Sequence, residues 1–164
     1  MSDIHDVVGK ITSPEWLEAQ HARTTAPRTL VSRFDQRGLR LITLHVARCA
    51  DYPEGSSRCG YAFVAPLDGN SRLDTDAWHE QRERCYALRF WEGEPDRVGH
   101  LVHRRGGSGG ATWCFEYDDV LGSETEPGHH LQTHRFLPGD YVSIRQEDEL
   151  KTFKVADVRR ACAR

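Results

Sequence analysis

The chain has no long hydrophobic run. None of its 164 residues lies in a stretch near the ~20 apolar residues that a membrane helix needs. This argues against a membrane span. The N-terminus, MSDIHDVVGKITSPEW, places Asp3, His5 and Asp6 where a signal peptide has a basic start and an apolar run. A cytoplasmic protein is expected. Charge of one sign is also missing: 25 acids nearly cancel 22 bases, and the net charge is −3. There is therefore no global pull towards nucleic acid or an anionic membrane. Lysine is scarce, with only Lys10, Lys151 and Lys154 among the 22 bases, so the positive charge is almost all arginine. Paired cysteine spacing is absent from the five cysteines, which excludes a disulfide framework and predicts mainly free thiols. Cys49 and Cys59 flank the turn DYPEGSS, and two small half-buried residues are favoured there over a disulfide.

What is present is a β pattern. The length suits one domain, and a chain of this size buries enough surface to hold a core. Ser13, Pro14 and Glu15 open a short helix over about 14–22, which should dock on the body through Trp16. Residues 1–27 thus form an N-terminal segment, and 28–164 a single β domain. In GLRLITLHV, Leu39 and Leu41 share one face, and Ile42, Leu44 and Val46 the other. Further strands are predicted over about 58–66, 85–91, 98–105, 111–117, 131–136, 140–146 and 151–158, with 118–129 as an acidic loop. TDAWHEQRER reads as a second short helix, capped by Asp74 or Thr75 and pinned by Trp78. The expected fold is mostly β: a small antiparallel β-barrel or sandwich of about eight to nine strands with two short helices.

Nine histidines call for a test of metal binding. His100 and His103 sit three apart, and on a strand they point to opposite faces. His130 and His134 lie beside Asp118, Asp119, Glu124 and Glu126, a set that suits a divalent metal such as zinc, iron or manganese. No HExxH, CxxC or HxH spacing supports it, so a solvated acidic loop competes with the metal reading. GGSGG at 106–110 joins two strands and has no following lysine, which makes it a hairpin tip rather than a phosphate loop. No GxSxG or other catalytic motif is present. Arg89, Arg97, Arg104 and Arg105 cluster near Trp91, the one aromatic whose parity on the strand 85–91 places it off the Phe90 face. This group is the candidate contact for an anion or for a single nucleic-acid strand.

GYAFVAPLD (60–68), LRFWEGE (88–94) and HRFLPGDYVSI with TFKV (134–144, 152–155) resemble a group of short uncharacterised bacterial proteins, mainly alphaproteobacterial. The resemblance covers roughly residues 38–160. It implies a stable small domain and transfers no functional residue. The leading expectation is a β domain that binds a small molecule or a protein partner and carries no catalytic signature or cofactor. A metal protein using the 118–134 region and a single-strand nucleic-acid binder are the rivals.

Overall fold

The structure, a computed structural model, describes residues 38–107, 110–118, 125–129, 131–146 and 148–161. The N-terminal segment and its expected helix over 14–22 lie outside these residues. The strands are β1 (Leu39–Val46), β2 (Ser56–Pro66), β3 (Tyr86–Phe90), β4 (Arg97–Gly107), β5 (Gly110–Tyr117), β6 (Thr125–His129), β7 (Tyr141–Gln146) and β8 (Glu149–Arg160). Each pairs antiparallel with the next. β1 carries β2 on one side and β8 on the other, which curls the sheet round on itself. β6 is a short link, with only two residue pairs to β7. No helix among the described residues is long and apolar enough to cross a membrane.

Register explains which faces turn inward. Ile42 lies opposite Phe63, and Leu44 opposite Tyr61, so both pairs share the inner face. Tyr61 stacks on Phe115 at 5.0 Å and meets Phe153 edge-on at 5.1 Å; Phe63 meets Phe115 at 5.2 Å. Edge-to-face and offset contacts at this spacing are favourable. The aromatic side chains fill the inside, as a narrow barrel allows. Tyr61 keeps its hydroxyl satisfied by accepting from Gln146 Nε2 at 2.6 Å.

Two segments depart from the predicted pattern. Residues 131–136 are not a strand. Leu131–Thr133 is a 3₁₀ turn, and both Leu131 and Phe136 are fully buried. Five residues apart on a strand they would face opposite ways, whereas the turn sends both inward. Phe136 packs edge-on against Phe63, and its amide donates to Ser71 O at 2.8 Å. Conversely, Thr125–His129 lies in the predicted loop yet pairs with β5. The β5 edge needs a partner, and local composition yields to it.

The helix predicted around Trp78 is α1 (Thr75–Gln81), continued by a 3₁₀ turn over Arg82–Arg84. Asp74 is its N-cap, accepting from Ala77 N at 3.0 Å. Trp78 is buried, and its Nε1 donates to Leu101 O at 3.0 Å. It meets Trp113 at 5.6 Å, so α1 closes the Pro66 end of the sheet. Cys49, Cys59, Cys85 and Cys114 are all free. Cys49 is exposed and Cys59 buried, the latter donating to the Tyr52 hydroxyl at 3.8 Å.

Candidate functional site

The inner face of β3 is not the one that its apolar residues suggest. Ala87 lies opposite Phe63 and Arg89 opposite Tyr61. Ala87, Arg89 and Trp91 therefore line the inside, while Tyr86, Leu88 and Phe90 point out. Trp91 is buried at 7% exposure, so its place off the Phe90 face does not leave it open as the contact expected for a nucleic-acid strand. Tyr52 closes on it edge-to-face at 6.2 Å, and Phe153 at 6.4 Å. A free stacking platform for a nucleic-acid base is not formed there.

Arginines nevertheless gather at this end. Arg89 and Arg97 are direct cross-strand partners, so two like charges stand side by side on the inner face. Such a pairing is unfavourable unless something compensates. Ring contacts offset part of it. The Arg89 guanidinium lies 4.8 Å from the Trp91 ring centre, and that of Arg97 lies 4.3 Å from the Tyr117 ring centre. Each such cation–π contact is worth about 0.5–2 kcal/mol, more when water is excluded. The Arg89 side chain is only 11% exposed and donates to Glu94 at 2.8 Å. A third cation comes from β8. Lys151 lies opposite Ile144 and on the face of Phe153, and its ammonium sits 5.3 Å from the same Trp91 ring. Glu149 approaches it at 3.7 Å. Beside Arg97, Asp96 has one carboxylate oxygen buried with no hydrogen-bond partner, and burial raises its pKa. The β3–β4–β8 end of the sheet thus presents three cations over two aromatic rings.

The other predicted residues are elsewhere. Arg104 and Arg105 lie at the far end of β4, and Arg104 meets Glu116 at 3.4 Å. They do not join Arg89 and Arg97. His100 and His103 point apart, as the strand requires. His100 stands beside Tyr86 at 4.8 Å and 3.9 Å from Asp118, while His103 packs on Trp113 at 4.6 Å. Burial lowers the His103 pKa, helped by His79 and Arg105. Of the expected metal set, His130, Asp119 and Glu124 lie outside the described residues, as does the Glu126 side chain. His134 is half-buried after the 3₁₀ turn, and its amide donates to Leu131 O at 3.3 Å. Among the described residues no group of three or more metal-ligating side chains is gathered.

Lys151, Tyr117 and Glu94 were not singled out by motif. Lys151 is 62 positions from Arg89, and only its parity with Phe153 and Val155 marks it as inward-facing. In comparisons with protein-family models, curated proteins and solved structures, nothing matches the chain.

Proposed function

We propose that the chain is a binding domain whose ligand is a small anion held at the β3–β4–β8 end. The observation that carries this reading is the direct pairing of Arg89 with Arg97, with Lys151 sharing the Trp91 ring with Arg89. Guanidinium groups fork onto carboxylate or phosphate oxygens. Trp91 and Tyr117 hold those groups in place from behind, so little side-chain freedom is left to lose on binding. Carboxylate or phosphate oxygens are the chemistry that such a group of cations favours. The filled interior limits the ligand to the rim.

Thermal unfolding at low salt, with inorganic phosphate, pyrophosphate, citrate or a dT15 oligonucleotide added, tests this. Citrate or a phosphate should raise the midpoint by several degrees, through binding to the folded state. Arg97→Gln should remove the shift. A response to none of these anions, or to the oligonucleotide alone, contradicts the reading.

A further inference from the structure

One face of the sheet is covered although it points away from the barrel interior. Leu39 and Leu41 on β1, Ala62 and Val64 on β2, and Leu88 and Phe90 on β3 alternate with the inward residues, so they face outward. Leu41 is the partner of Val64, and Ala62 of Leu88. All six are at most 5% exposed, and Leu88 is completely buried. An outward leucine in an open sheet keeps part of its surface in water. The burial also stops sharply at both sides. On β4 the next outward residue, Val98, is 40% exposed. On β8, Arg159, opposite Leu41, and Lys154, opposite His45, are exposed. The covered patch is therefore limited to β1, β2 and β3.

The described helix does not account for it. α1 sends Trp78 to Leu101 and Trp113 at the Pro66 end, away from Ala62 and Leu88. We infer that this outward β1–β2–β3 face is a docking surface for the chain's own residues 1–37. The segment joins the sheet at the edge of the patch. Gly38, at φ +73°, precedes Leu39, and its carbonyl accepts from Leu67 N at 3.1 Å, which fixes the point of entry. The 37 preceding residues are long enough to cross three strands spaced about 5 Å apart. They include Ile11, Trp16, Leu17, Leu30, Val31 and Phe34, apolar side chains of the kind that cover such a patch. Trp16 and Leu17, on the helix expected over 14–22, supply the largest adjacent pair.

The test uses the full chain with Val64→Cys, a near-isosteric change on the patch. Maleimide labelling is followed by peptide mass mapping, so the native thiols report separately. The introduced thiol should label at least tenfold slower than exposed Cys49. Adding Trp16→Ser and Leu17→Ser should speed it at least tenfold, while buried Cys85 stays protected and shows that the barrel is intact. Rapid labelling in the unaltered N-terminal background overturns the inference. So does slow labelling that the double serine change leaves untouched, or that depends on protein concentration, which would indicate a second copy. If the serine variant also exposes Cys85, a benzophenone maleimide on the introduced thiol decides in the native background. Cross-links should fall within residues 1–37, and cross-links confined to other segments or to a second chain refute the docking.

Discussion

Histidine burial makes the stability of individual residues sensitive to acid. His45 sits edge-on to Phe90 at 6.3 Å, and His103 lies against Trp113. Burial lowers both pKa values below the ordinary 6.5, with His79 and Arg105 adding to the effect at His103. Well above pH 6.5 both groups are neutral folded and unfolded, so they contribute no pH dependence there. Below it the unfolded chain binds protons that the folded chain refuses, and stability falls as pH drops. Urea midpoints should decrease between pH 6.5 and 5, and His103→Gln should flatten part of that slope. Trp91 shows the limit of parity at this scale. Its place on the Arg89 face was readable in LRFW, but its burial was not. Tyr52, Phe153 and Lys151, which cover it, come from distant parts of the chain.

Strand pairing is decided by backbone approach as much as by apolar pattern. Gly99 packs against β5 so closely that an added Cβ would lie 1.9 Å from Glu116 O. Gly60 meets Leu44 O in the same way. Gly60 also lies in register between His45 and Phe90, and its missing side chain lets those two rings meet across it. Gly99→Ala should cost about 1–3 kcal/mol or more, since the obstacle is backbone and must shift. Gly69→Ala, with nothing within 4 Å, is the matched control and should be close to neutral. Chemical denaturation of the two variants side by side measures the difference. Alternation in β1, β2 and β5 was plain in the sequence. The 131–136 segment misled because its apolar residues were read with period two, while Leu131 and Phe136 are carried inward by a turn.

For the molecule as a whole, the aromatic interior is the main support. Phe115 touches both Tyr61 and Phe63 and is completely buried. Phe115→Ala should lose about 3–5 kcal/mol, because transfer and cavity costs add. Urea unfolding followed by tryptophan fluorescence would report it. A loss under 1 kcal/mol would mean that the interior repacks freely. The same filled interior directs any ligand to the ends of the sheet, where β3, β4 and β8 bring their cations together.

The amino-acid sequence alone determined that this chain forms antiparallel strands, with a short helix capped at Asp74 or Thr75 and with His100 and His103 facing apart. Those features depend on spacings of two to four residues, which local geometry controls. It also grouped Arg89, Trp91 and Arg97 as candidate contacts. Tertiary structure decided that Lys151 joins them and that Arg104 and Arg105 do not. It also decided that the Leu88 face is the outer one. These outcomes depend on register between strands far apart in the chain, and a one-residue slip in register would reverse every face.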